Sequence, residues 1–397
     1  MPKGPLDGIR VLDLSSFLAG PYATALLGDL GAEVIKIEPP NQGDPMRVWG
    51  RQKQGEPSLW WPVVARNKKA ITLDLRQTEG QEVLRELVTK ADFLLENFRP
   101  GTFEKWGLGW DVLRLENPGL IFIRVSGFGQ SGPYAGRAGF GAIGEAMGGL
   151  RALTGEPDRP PARVGISIGD SLAATFACLG ALMALNHRHR TGEGQVVDSA
   201  IYESVLAMLE STVPEFTVAG VQRQRSGAIL PGIAPSNVYP CADGEVLIGA
   251  NQDAIFRRLC AAMGVPELAD DPRYATHEAR GRHQAMLDAR IAEWTRSRGV
   301  AAVLAAMEAA AVPAGRIYGV ADMLADPQFA ARASLEAVPH PDFPGLMMQS
   351  VFPRLSETPG AIHWPGAPLG AFNDEVYRGL LGFSAAKLAT LKRDGII

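Results

Sequence analysis

The chain has 397 residues, 46% of them hydrophobic and 21% charged, which is ordinary for a globular protein and long enough for two domains with large cores. A net charge of −4, without a basic cluster interleaved with aromatics, argues against nucleic acid or an anionic membrane as partner. Cys178, Cys241 and Cys260 stand far apart in apolar contexts and form no disulfide framework, and the six histidines show no metal-ligand spacing, so no metal is expected.

The first residues, MPKGPLDGIRVLDL, enter a strand pattern at once without a charged and then apolar leader, so the expectation is a cytoplasmic protein. Residues 9–14 (IRVLDL) read as a strand, 15–32 as a helix opened by Gly20-Pro21, and 33–38 (EVIKIE) as a second strand. This is a βαβ unit and implies parallel pairing, although no G-x-G-x-x-G dinucleotide fingerprint accompanies it. Residues 39–62, rich in Pro, Gly, Gln and Trp, read as a long ordered loop that covers something. Further strands are expected at 70–75, 93–98 and 120–125, with helices at 78–91 and from about 102 to 115. Such alternation predicts an open α/β sheet whose ligand lies outside the carboxyl ends of the strands. Residues 96–99, 127–134 and 139–141 then gather at one edge.

Residues 164–185 (VGISIGDSLAATFACLGALMAL) are the stretch around which the rest is organised. Gly169-Asp170-Ser171 precedes an uncharged apolar helix over 172–185, too short to span a bilayer, which needs about 20 apolar residues. Asp170 or Ser171 fits an N-cap. A carboxylate at a helix N-terminus, beside a glycine that lets a ligand approach, also fits a nucleophile. The two readings are compatible. His187 and His189 close the helix, where positive charge suits its C-terminal end, and Cys178 reads as a small core residue. Farther on, Asp243-Gly244 marks a hairpin, and helical patterns cover 252–263, 283–294, 300–311 and 384–393. Residues 226–325 read as a smaller α+β domain, and 1–225 with 326–397 as a large one.

Several ordered segments resemble the class III CoA-transferases, the group of formyl-CoA transferases and α-methylacyl-CoA racemases. They are VLDLSSFLAGPYATALLGDLGAEVIKIEPP, NKKAITLDL, ENFRPGTFEKWGLGW, NPGLIFIRVSGFGQSGPY, VGISIGDSLAATFACLGALMAL, TGEGQVVDSAIYES and SNVYPCADGEVLIGA. The resemblance implies a Rossmann-like large domain with a parallel sheet, a smaller α+β domain and an interlocked homodimer. It makes Asp170 the catalytic nucleophile, with Gly169 or neighbouring N–H groups at the developing oxyanion. It places Leu18, Ala19, Leu73, Arg76, Asn97, Phe98, Arg99 and Lys105 along CoA, with Ala138, Gly139, Phe140 and Gly141 near the thioester. Arg76, Arg99 and Lys105 are the candidates for phosphate. Coenzyme A thioesters and carboxylic acids are then substrates, with no separate cofactor.

Three departures narrow the substrate. Leu18 stands where formyl-CoA transferases carry glutamine, Phe140 where they carry tyrosine, and their glycine-run loop has no counterpart near 225–232. Phe140 also replaces the racemases' histidine, which removes one of the two acid/base groups that a racemase needs on opposite faces of the α-carbon. The stretches GEAMGGLRALTGEPDRPPARVGISIGDSLA and SGAILPGIAPSNVY look most like transferases that move CoA from succinyl-CoA to malate, citramalate or glutarate. Arg163, Arg223 and Arg225 are candidates for a second substrate carboxylate. A racemase and a non-catalytic acyl-CoA-binding relative remain the alternatives.

Overall fold

The computed structural model describes residues 4–50 and 57–397. The chain divides into two compact units, Met1–Leu150 with Val164–Gly220 and Ala330–Ile397, and Arg151–Arg163 with Val221–Phe329. Residues 151–163 thus fall with the second unit. Within it Gly227 N–H donates to Gly155 O at 3.0 Å.

The first unit is built on six parallel strands: β1 (Arg10–Asp13), β2 (Glu33–Glu38), β3 (Lys68–Thr72), β4 (Phe93–Glu96), β5 (Ile121–Ser126) and β6 (Val196–Ala200). Their order is β3-β2-β1-β4-β5-β6, the Rossmann arrangement expected from the sequence. Runs such as Phe93–Leu95 and Ile121–Ile123 are apolar on both faces because helices cover both sides of the sheet. One face packs the Ala19–Asp29 helix and the Ile168–Thr191 helix against Val11, Phe93, Leu95, Ile121 and Val125. On the other face, the Thr78–Val88 helix and C-terminal residues Phe383, Leu388, Leu391 and Ile396 share a core with Leu12, Ile35, Ile71 and Leu94. The sheet edge β6 went unread in the sequence, because its five residues run without a break into the helix Ile201–Leu206.

The Ile168–Thr191 helix is 24 residues, longer than the expected 172–185. Its length and composition would allow it to cross a membrane. Here one face of it lies in the core, and the small side chains of Ala173, Ala174, Ala177, Ala181 and Ala184 let it lie close on the Ala19–Asp29 helix and strands β5 and β6. Arg188, His189 and Arg190 occupy its last turn, and Gly192 stops it at φ 80°. Of the expected 39–62 loop, residues 51–56 lie outside the described residues. The rest holds a single 3-10 turn, Pro45–Arg47, and the start of the short Trp60–Ala65 helix.

The second unit contains an antiparallel sheet of β7 (Ser236–Cys241), β8 (Gly244–Gly249) and β9 (Ala314–Arg316). The expected hairpin joins β7 to β8, its two turn residues being Ala242 and Asp243, with Gly244 already paired to Cys241. Helices Asp253–Ala262, Gln284–Arg296 and Val300–Ala309 pack on the sheet around Tyr239, Val246, Phe256, Leu287 and Val303.

Candidate active site

In a doubly wound sheet the chain leaves β1 toward one side and β4 toward the other, so a crevice opens where their carboxyl ends part. Two cavities occupy that edge. One, of about 410 Å³, is walled by residues following β1, β2, β3 and β4, among them Ser16, Pro39, Asp44, Leu73, Arg76, Phe98 and Trp106. The other, of about 180 Å³, contains Asp170 together with Phe17, Leu18, Ala19, Trp49, Asn97, Gly127, Gly139, Phe140, Gly141 and Ser167. Ser16 lines both.

Asp170 is not the helix cap. Ser167 occupies the N-cap and Asp170 is the third helical residue, because Ile168 and Gly169 already hold helical backbone; Ser171 donates inside the helix to Ser167 O at 3.1 Å. Asp170 still lies in the first turn, where unsatisfied N–H groups and the helix dipole favour a carboxylate. Backbone crowds the site on its other sides. A methyl at Gly141 would come within 2.1 Å of Asp170 Oδ2, so only glycine lets this strand of chain lie on the carboxylate. Gly127 and Gly139 cross so closely that a methyl on either would be 2.8 Å from the other's Cα.

The loop after β1 forms the facing wall, and side chains bind nearly every polar group of its backbone. Asp13 accepts from Ser15 N–H at 3.0 Å, and Lys36 donates to Ser15 O. Asn97 accepts from Ser16 N–H at 2.9 Å and donates to Ser16 O at 2.7 Å. Asp44 accepts from Phe17 N–H at 3.2 Å. Phe17 itself is held at φ 64°, a region L-residues seldom occupy. Beneath the loop lies a buried ionic cluster. Lys68 Nζ meets Asp13 Oδ2 at 2.9 Å, and Lys36 Nζ meets Asp44 Oδ2 at 3.0 Å and Asp13 Oδ1 at 3.8 Å. Burial alone would raise the Asp13 pKa, but Lys36, Lys68 and the Ser15 and Thr24 hydroxyls outweigh it and hold the carboxyl well below its usual range. Burial depresses Lys68, whereas at Lys36 it is outweighed by Asp13, Asp44 and Glu38, and that ammonium rises. At the end of β4, burial pushes Glu96 up to about 7 against the opposing pull of Arg124, which is 2.7 Å away and also binds Glu104.

Leu18, Ala19, Asn97, Gly139, Phe140 and Gly141 thus surround Asp170, while Leu73, Arg76 and Phe98 line the larger cavity. Gly169 is buried behind Asp170, and a methyl there would touch Glu145 Cγ at 3.0 Å. Ala138, Arg99 and Lys105 are exposed and line neither cavity. The guanidinium of Arg76 folds back on Asp74 at 2.8 Å. Arg163, Arg223 and Arg225 belong to the second unit, and Arg225 Nε donates to Glu156 O at 3.2 Å. Sequence reasoning missed Phe17, Trp49, Lys36 and Asp44. A lysine in the middle of a strand covered on both faces was the available signal for Lys36.

A family model described as CoA-transferase family III matches residues 6–373. The succinyl-CoA–D-citramalate CoA-transferase of Chloroflexus aurantiacus is 59% identical over 397 residues, covering 100% of this chain and 99% of that protein. The succinate–glutarate CoA-transferase of Agrobacterium fabrum is 37% identical, covering 98% of this chain and 97% of that protein. A CAIB/BAIF family protein from Brucella suis has a crystal structure that superposes with a TM-score of 0.84 at 36% identity, covering 96% of this chain and 100% of that one.

Proposed function

The chain belongs to CoA-transferase family III, and on that premise we propose that it moves CoA from succinyl-CoA to a small dicarboxylic acid, with citramalate the first acceptor to try. The observation that carries the reading is Asp170, set in the first turn of a core helix and open to a cavity at the carboxyl edge of the sheet. The 59% identity to a succinyl-CoA–D-citramalate CoA-transferase supports the choice of substrates.

In the proposed cycle, a carboxylate oxygen of Asp170 attacks the succinyl thioester carbon. The C–S bond breaks, CoA leaves as thiolate, and a mixed anhydride remains. The thiolate then attacks the aspartyl carbonyl, the anhydride C–O bond breaks, and succinate departs from an aspartyl-CoA thioester. The acceptor carboxylate displaces the thiolate to form a second anhydride. Return of the thiolate to the acceptor's carbonyl releases the new CoA ester and restores Asp170. Four easy acyl transfers thus replace one direct exchange, without ATP, metal or a separate cofactor. Backbone N–H groups at Gly169 and Gly141 are the candidates to meet the developing oxyanion. In this reading the larger cavity takes the CoA arm along Leu73 and Phe98, and Arg76, Arg99 and Lys105 on its flank meet phosphate.

The racemase reading is disfavoured by the cavity's chemistry. Among the described residues that line it, Asp170 is the only carboxylate, imidazole or amine, and Phe140 offers no proton. The proposal includes an interlocked homodimer in the cytoplasm. Association between copies is supported by the apolar side chains that the long helix and the Thr212–Ala219 helix leave exposed, Leu179, Met183, Phe216 and Val218 among them. The test is a mass-spectrometric assay of purified enzyme with succinyl-CoA and a panel of mono- and dicarboxylic acids. A new CoA ester at the mass of a dicarboxylate supports the reading. Transfer only to monocarboxylates, or none at all, overturns it.

A further inference from the structure

A transferase working through an anhydride and an aspartyl thioester has a competitor at every step, because water attacks the same carbonyls. Around Asp170 the small cavity carries three aromatic rings. Phe17 meets Trp49 edge-on at 5.9 Å between ring centroids and Phe140 edge-on at 5.9 Å, so that it bridges the two. Trp49 in turn leans on Trp60 at 5.9 Å. All three rings line the cavity with Asp170, and Phe17, Trp49 and Phe140 are 36%, 41% and 49% exposed. Large apolar side chains clustered at this exposure are what an occupant would cover.

The bridging ring is also the one whose position costs the chain most. Phe17 sits at φ 64°, where a bulky L-residue is strained and glycine is not. Bonds at and just before it hold it there: Asn97 grips both backbone groups of Ser16, and Asp44, paired with the buried Lys36, accepts from Phe17 N–H. Strain maintained by so many partners beside a reactive group points to a task for that side chain.

We propose that Phe17 is the water-excluding residue of the Asp170 site, its ring joining Trp49 and Phe140 into an apolar cover that directs the activated acyl group to the acceptor carboxylate rather than to water. The inference rests on the transferase reading above. When the cover is removed, the oxygen of water attacks the succinyl carbon of the anhydride and the C–O bond to Asp170 breaks. Succinate is released with Asp170 regenerated as carboxylate. Of the two protons of water, one goes to the CoA thiolate and the other to solvent, for a net hydrolysis of succinyl-CoA to succinate, CoA and a proton.

The test measures, for wild type and three variants, the ratio of free CoA released to acceptor CoA ester formed from succinyl-CoA and the best acceptor acid. Phe17→Gly removes the ring and relieves the backbone, so it folds with a melting temperature no lower than wild type; Phe17→Leu keeps apolar volume without the edge contacts; Phe17→Tyr keeps the ring. The expected result is a hydrolysis-to-transfer ratio raised about tenfold or more in Phe17→Gly, less in Phe17→Leu and near wild type in Phe17→Tyr. An unchanged ratio in Phe17→Gly with transfer retained overturns the inference, as does a ratio raised equally in Phe17→Tyr. Absence of transfer in the wild-type enzyme would instead overturn the transferase reading itself.

Discussion

Replacing Gly141 with alanine tests whether the Asp170 carboxylate is held where it must react. The new methyl would lie 2.1 Å from Oδ2, 2.7 Å from Cγ and 3.0 Å from Oδ1 of Asp170. Ordinary non-bonded contacts are roughly 3.5 Å, so the carboxylate has to retreat by more than about 1 Å. A displacement of that size in a reacting group costs on the order of 100-fold in rate, or about 2.7 kcal/mol of activation free energy. The backbone itself accepts alanine: Gly141 is absent from the positive-φ glycines, and it opens the Gly141–Met147 helix, where alanine favours the fold by a few tenths of a kcal/mol, up to about 1. Gly141→Ala is therefore expected to lose about 100-fold in kcat while its thermal midpoint stays near wild type. Gly144→Ala is the packing control. Its methyl would meet Ile201 Cγ2 at 2.4 Å, so the midpoint should fall instead. Steady-state transfer assays and thermal unfolding on the three proteins separate the cases. If Gly141→Ala keeps transfer within about threefold of wild type at unchanged stability, the position of Asp170 against this backbone does not matter to the reaction.

Two further substitutions test the scaffold. Asp13→Asn strands the buried Lys68 ammonium, while Lys36 keeps Asp44 at 3.0 Å, and urea unfolding should show a loss of roughly 3–5 kcal/mol; a loss below about 1 kcal/mol would mean that the cluster does not anchor the loop. Glu96 has a folded-state pKa of about 7, above its ordinary 4.5, so the native state binds the proton more tightly than the unfolded one. Its stabilising contribution is complete below pH 4.5 and is lost as the pH rises through about 7. The thermal midpoint of wild type should therefore fall between pH 5 and 8 by more than that of Glu96→Gln, with a difference of up to about 3 kcal/mol. Parallel curves for the two proteins would contradict the burial argument.

The parallel sheet and the hairpin of the second unit were readable because their cause is local. Runs such as IRVLDL and LIFIRV carry strand composition between turn residues, and Asp243-Gly244 marks a turn by its own chemistry. The start of the long helix was misjudged by four residues, because a glycine beside an aspartate looks like a cap whether or not the residues before it are already helical. The buried charges were harder still. Lys36 and Lys68 reach Asp13 across 23 and 55 positions of sequence, and only the adjacency of β3, β2 and β1 turns three apparently ordinary charges into one cluster. Phe17 and Trp49 were passed over for the same reason. Their meeting with Phe140 is made by the carboxyl edge of the sheet, where loops distant in sequence arrive together.

The most direct test of the catalytic reading is the intact mass of the enzyme, quenched in acid during turnover with succinyl-CoA. Wild type should carry one CoA less the elements of water, on the peptide that contains Asp170, and Asp170→Ala should carry none and transfer nothing. The same adduct on Asp170→Ala, or transfer that survives the substitution, would contradict Asp170 as the nucleophile.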